Sequence, residues 1–198
     1  MKIFLTSDQH FGHKNIIKYC NRPFEFSDKG VIDCIKTIFS NYNDVVTDND
    51  IVFHLGDLAF VKQKNREAIK MLFQNLKGKK ILLLGNHDHC SKEFYKECGF
   101  IDIKNYFVFG NYFLCHYPLN KTQLITEKMR ALYKILKESK ADIIIHGHSH
   151  NVTSADDKLY PRINVCVDYP PNNYSPVEIT DDKFKEDVLK YFESLDYK

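Results

Sequence analysis

Apolar positions along this chain follow two rhythms. Residues 2–7, 51–55, 81–84, 143–145 and 163–167 are short, nearly continuous apolar runs rich in β-formers, and they end at polar residues instead of continuing as helices would. This is the pattern of strands buried on both faces. Between them, Val31, Ile32, Ile35, Ile38 and Phe39 recur at helical spacing, as do Ala68, Ile69, Leu72, Phe73 and Leu76, with Gly78 where a helix should end. Further helices are expected near 91–98 and 123–137. Residues 106–109 and 112–115 flank the turn pair Gly110-Asn111 and read as a hairpin. The stretch 181–197 reads as an amphipathic helix whose Phe184, Val188, Leu189 and Phe192 would pack onto the rest. Strands alternating with helices, followed by a hairpin, predict an α/β fold with mixed sheets covered by helices.

Composition narrows the picture. A chain of 198 residues, 43% hydrophobic and 14% aromatic, can bury a full core, and one domain over residues 1–198 is expected. Net charge is +2, from 28 basic and 26 acidic residues without like-charge runs, which argues for neither a nucleic-acid nor a membrane partner. The opening apolar stretch is too short for a signal peptide, so a cytoplasmic location is expected. Six cysteines lack paired spacing and read as reduced, structural thiols.

The chemistry sits where the strands stop. Each run leads into metal-competent side chains: Asp8-Gln9-His10, Gly56-Asp57, Gly85-Asn86-His87-Asp88, Cys115-His116, and His146-Gly147-His148-Ser149-His150. In α/β folds the loops at the carboxyl ends of strands converge, so these residues can meet around one site. Asp8 and His10 would share a side if strand geometry persisted through Gln9. Imidazole, carboxylate and amide donors without thiolate suit Mn²⁺, Fe or Zn²⁺, and their number is enough for two ions.

The ordered set D-x-H, G-D, G-N-H-D, H and G-H-x-H, from Asp8 to His150, resembles the calcineurin-like metallophosphoesterase superfamily. The stretch Asp8 to Ile17 with Arg22-Pro23-Phe24 is similar to a small subgroup of bacterial and phage phosphoesterases. The resemblance implies a layered sandwich of two mixed β-sheets flanked by helices. It also implies hydrolysis of a phosphate ester by a hydroxide on two divalent ions, Mn²⁺ foremost, with Fe, Zn²⁺ or Ni²⁺ as alternatives. By the same resemblance Asp8, His10 and His150 hold one ion, Asn86, His116 and His148 the other, and Asp57 bridges them. His87 would serve the leaving group, with Asp88 orienting its ring.

The remaining candidates come from the residues themselves. His13, in the loop after the first motif, is a candidate substrate contact, and so is Arg22, whose alternative is a solvated pair with Glu25. His54 and His146 lie in strands and read as interior histidines. Arginine is scarce, which favours a singly charged phosphodiester over a monoester dianion. The rivals are a monoesterase, a nuclease, and a silent binding module on the same fold. A nuclease calls for a basic strip with interleaved aromatics, and only Lys77, Lys79 and Lys80 come near, at the amino end of a strand. A protein serine/threonine phosphatase would carry an arginine soon after the G-D motif, where this chain has Leu58-Ala59-Phe60.

Overall fold

A computed structural model describes residues 1–151 and 160–195. Its strands are β1 (Ile3–Thr6), β2 (Ile51–His54), β3 (Lys79–Leu83), β4 (Phe100–Lys104), β5 (Tyr106–Phe109), β6 (Tyr112–Cys115), β7 (Ile143–His146), β8 (Arg162–Asn164) and β9 (Val177–Glu178). The helices are α1 (Ile16–Tyr19), α2 (Asp28–Val45), α3 (Arg66–Gln74), α4 (Lys92–Glu97), α5 (Glu127–Glu138) and α6 (Asp182–Ser194). Five strands form one sheet in the order β4-β3-β2-β1-β9, and four form the second in the order β5-β6-β7-β8. Both sheets are mixed. β9 pairs antiparallel with β1, and β5 with β6, while the other pairings are parallel.

Strand periodicity explains the layers. In β1, β2 and β3 the residues Ile3, Leu5, Ile51, Phe53, Ile81 and Leu83 face the second sheet and meet Phe107, Phe109, Leu114 and Ile145. The intervening Phe4, Val52 and Leu82 face the other way, onto Ile38 and Tyr42 of α2, Phe73 of α3 and Phe94 of α4. Phe113 and Ile144 of the second sheet pack beneath Met129, Leu132 and Leu136 of α5. The result is helix, sheet, sheet, helix, with Phe184 and Val188 of α6 packed into the inter-sheet core. No described helix is long and apolar enough to cross a membrane.

Helix starts follow side-chain caps. Ser27, Ser91, Thr126 and Asp181 each accept an amide hydrogen at an N-terminus. Because Thr126 caps α5, that helix begins at Glu127 and not near 123, where a short 3₁₀ turn (Lys121–Gln123) stands instead. The run at 163–167 pairs as a strand over Arg162–Asn164 and then touches β1's continuation through the single bridge Ser7 to Cys166. Residues 152–159 lie outside the described part.

Candidate metal centre

All motif-bearing segments reach one edge of the sandwich, beyond the carboxyl ends of β1, β2, β3, β6 and β7. They do not arrive there as prolonged strands. Asp8 (φ 61°), His10 (φ 50°), Asp57 (φ 54°), His148 (φ 67°) and His150 (φ 49°) all occupy the left-handed region, which non-glycine residues seldom adopt. The expectation that strand geometry carries through Gln9 is therefore corrected: β1 ends at Thr6, and alternate left-handed residues aim Asp8 and His10 inward. Such conformations cost on the order of 1–3 kcal/mol each and persist where the surroundings over-determine them. Here they do, because Asp8 N donates to Gly56 O at 2.9 Å and His10 N to Asp57 O at 3.0 Å, locking two loops side by side. Glycine is required at 147 by close approach: a β-carbon there would overlap Ser7 Oγ and the Asp8 carboxylate.

The motif donors form two groups. Asp8, His10 and His150 offer atoms within 4.8 Å of one another, and so do Asp57, His116 and His148; a third group outside the motifs, Cys20, His150 and Asp168, shares His150 with the first. In the first, His10 Nε2 lies 3.7 Å and His150 Nε2 3.6 Å from Asp8 Oδ1. In the second, His116 Nε2 lies 3.4 Å from Asp57 Oδ2, 3.2 Å from His148 Nδ1 and 3.0 Å from Asn86 Oδ1. Asp57 Oδ2 also stands 3.6 Å from His10 Nε2, so one carboxylate oxygen faces both groups. Asp8 Oδ1 and His10 Nε2 are buried and have no hydrogen-bond partner. Orphaned buried polar atoms are costly unless something sits between them, and the donor set of Asp8, His10 and His150 suits a cation.

Four of the candidate donors, Asp8, Asp57, His116 and His150, have a second atom held by the protein. Asp8 Oδ2 accepts from His148 N at 2.8 Å and Cys166 Sγ at 3.2 Å, and Asp57 Oδ1 accepts from His87 N at 2.8 Å, leaving Oδ1 of the one and Oδ2 of the other turned inward. His116 Nδ1 donates to Leu55 O at 2.8 Å, which reserves Nε2 for the centre. His150 Nδ1 lies 2.9 Å from Asp168 Oδ2. Burial opposes charge on His150, but the hydrogen bonds to Asp168 and Cys20 and the charges of Asp8 and Asp168 together outweigh it and lift the ring to about 10; Nε2 faces Asp8 and would release its proton on holding an ion. Burial would raise the Asp8 carboxyl, yet the His10 contact and the nearby His116 and His150 rings hold it well below the carboxylate range. Burial, then the His116 ring, pushes His148 down to about 4, which keeps a ligating nitrogen unprotonated near neutrality.

Two expected roles are corrected. Arg22 does not present itself to a substrate and does not pair with Glu25. Its side chain is fully buried; Nε donates to Asp168 Oδ2 at 2.9 Å, Nη2 to Asp8 O at 2.7 Å and Nη1 to Gln9 O at 3.0 Å. It braces the first ligand loop from beneath. Asp88 does not orient the His87 ring: its carboxylate accepts from Asp57 N at 2.7 Å, Gly85 N at 2.8 Å and Leu58 N at 3.0 Å, tying the β2 and β3 loops together. Asp168 was not among the residues picked out in the sequence, although it follows the apolar run 163–167 just as Asp8 and Asp57 follow theirs.

Of the other histidines, His87 is exposed at the rim, its ring 5.4 Å from that of His10. His13 lies 5.6 Å from His10 and stacks on Phe60 at 5.0 Å. His54 and His146 are buried, with 0% and 1% of their surface exposed.

Residues 1–152 match the family described as calcineurin-like phosphoesterase. An uncharacterized protein of Methanocaldococcus jannaschii, MJ1445, is 36% identical over 90% of this chain and 87% of its own length. The gene 66 protein of Mycobacterium phage L5 is 24% identical over 83% of this chain and 86% of its own length. Among solved structures, the protein of unknown function AQ665 from Aquifex aeolicus superposes with a TM-score of 0.71 at 28% identity, covering 96% of this chain and 98% of the other.

Proposed function

Because this chain belongs to the calcineurin-like phosphoesterase family and is a metal-dependent phosphohydrolase, we propose that it cleaves a phosphodiester at a centre for two divalent ions. Asp8, His10 and His150 would hold one ion, Asn86, His116 and His148 the other, and Asp57 both. The observation that carries this reading is the position of Asp57 Oδ2, 3.6 Å from His10 Nε2 and 3.4 Å from His116 Nε2, facing two donor groups at once. Bound there, two ions supply a nucleophilic water at neutral pH and neutralise charge on the phosphate oxygens. The donor set of imidazole, carboxylate and amide without thiolate supports Mn²⁺, with Fe, Zn²⁺ or Ni²⁺ as alternatives.

The protein's own groups do the remaining work. The left-handed loops set the directions of Asp8, His10, Asp57, His148 and His150. His87, exposed beside His10, gives a proton to the leaving oxygen, and His13 lines the approach.

Diester preference rests on the arginines. A monoester approaches a dianion at neutral pH and calls for guanidinium forks beyond the ions. Each of the four arginines is engaged elsewhere: Arg22 on Asp168, Arg66 over the Phe94 ring, Arg130 on Leu124 O, and Arg162 on Pro118 O. The test is paired kinetics on a nitrophenyl phosphate monoester and the matching diester, with Mn²⁺, Ni²⁺, Zn²⁺ and Mg²⁺ supplied separately. Higher kcat/KM on the diester is expected, and a clear preference for the monoester refutes the assignment.

A further inference from the structure

Basic and aromatic residues alternate from His13 to Phe26, and the fold brings Phe60 and Lys62 to them. Among the described residues, the aromatic side chains standing exposed are Tyr19 at 73%, Phe26 at 40% and Phe60 at 40%. They come from three separate segments: the end of α1, the turn before α2, and the loop after β2. Tyr19 and Phe60 meet across His13 beside the candidate metal centre, while Phe26 lies under Lys18, the residue before Tyr19. His13 links Tyr19 and Phe60 to the donors, with its ring 5.6 Å from His10, 5.0 Å from Phe60 in a stacked arrangement, and 6.2 Å from Tyr19 edge-on. The His87 ring closes the inner side, 6.5 Å from His13.

Three lysines sit on these rings. Lys18 Nζ lies 3.7 Å and Lys14 Nζ 5.3 Å from the Phe26 centroid, while Lys62 Nζ lies 4.8 Å from that of Phe60. Lys14 is also paired with Asp28 at 3.0 Å, so Lys18 and Lys62 are the cations that carry this argument. Exposed rings are costly on a protein surface and mark sites of contact when they gather beside a cleft. Rings alternating with cations are the surface that nucleobases and the phosphates joining them require, since bases stack on aromatic faces while lysines meet the backbone charge.

We propose that Tyr19, His13 and Phe60, bordered by Lys18 and Lys62, seat a nucleobase, so that the substrate is a phosphodiester of a nucleoside. This rests on the phosphodiesterase reading above. The ring path runs outward from His10, so a phosphate at the metal centre places the base of the same nucleotide over His13 and its neighbours. The even spread of charge along the chain argues against a nucleic-acid partner, and the proposal departs from that expectation because Phe60 and Lys62 join the His13 to Tyr19 segment in space.

The decisive comparison is between thymidine 5′-(4-nitrophenyl) phosphate and ethyl 4-nitrophenyl phosphate, diesters with the same charge and leaving group, using Mn²⁺-loaded protein. One stacked base corresponds to about 5- to 150-fold in KM. The nucleoside ester should show that advantage, and Tyr19→Ala and Phe60→Ala should each remove most of it through KM and not kcat. In parallel, fluorescent single-stranded oligothymidylate is titrated onto the same proteins at two salt concentrations. Binding weakened by Tyr19→Ala and by Lys18→Ala identifies a strand as the source of the base. An effect confined to the small ester identifies a nucleotide. Equal KM for both esters, with oligothymidylate unbound or bound equally by wild type and Tyr19→Ala, overturns the base seat while leaving the phosphodiesterase reading intact. Should neither ester be hydrolysed, the phosphodiesterase reading falls, and oligothymidylate binding sensitive to Tyr19→Ala still decides for the seat.

Discussion

Arg22 and Asp168, 146 residues apart in sequence, meet as a buried ion pair with Nε 2.9 Å from Oδ2 and essentially no exposed surface on either side chain. The pair links two ligand loops. Asp168 also holds His150 Nδ1, and Arg22 also holds the carbonyls of Asp8 and Gln9.

Removing one partner of such a pair leaves an uncompensated buried charge. Arg22→Met should therefore destabilise the fold by about 3–5 kcal/mol, as read from urea unfolding of the metal-stripped protein. It should also weaken the ion held by Asp8, His10 and His150 more than the other. Metal analysis after mild chelation should find about one ion lost per chain; equal loss at both positions would refute the bracing role.

Asp57 faces both donor groups through one oxygen, whereas His10 lies within the first group alone. Asp57→Asn should lose most bound metal and nearly all turnover, while His10→Ala mainly disturbs one position. Two tightly held ions per chain in an active Asp57→Asn protein would contradict the shared-ligand assignment.

His87 sits at the exposed rim, outside both donor groups. His87→Ala should slow turnover about 10²–10⁴-fold with metal content nearly unchanged. The loss should shrink for esters whose leaving group needs no proton. Loss of metal in this variant would move His87 among the ligands.

Acid sensitivity should come from the interior. Burial, then the charge of Lys80, pushes His54 down to about 3, and burial pushes His146 down to about 4, so both stay neutral in the fold. In the unfolded chain they take up protons near pH 6.5. Each group's contribution is thus intact above pH 6.5 and is lost as pH falls toward its folded value, at about 1.4 kcal/mol per pH unit. His54 stacks on Tyr42 at 5.7 Å and meets Phe100 edge-on at 5.2 Å, an environment that accepts phenylalanine. His54→Phe should lower the slope of stability against pH between 6.5 and 4 by about one proton's worth, measured by urea unfolding at each pH. An unchanged slope would show that His54 is not held neutral.

The sequence by itself determined the central strands, the hairpin about Gly110-Asn111, and the candidate donors at the strand ends, because apolar runs and polar stops are local signals. The short β9 and the half-exposed β4 escaped it, since Val177–Glu178 has no run of its own and Phe100–Lys104 mixes charge into its pattern. Tertiary structure alone decided how the donors converge: left-handed turns at Asp8 and His10 depend on hydrogen bonds to the loop after β2, some 48 residues on. It also decided that Arg22 faces inward, that Asp168 joins the site, and that Tyr19 and Phe60 meet across His13. A residue's type and spacing state which contacts it can make. Which distant partner it meets follows only when the sheets pack and bring separate loops to one edge.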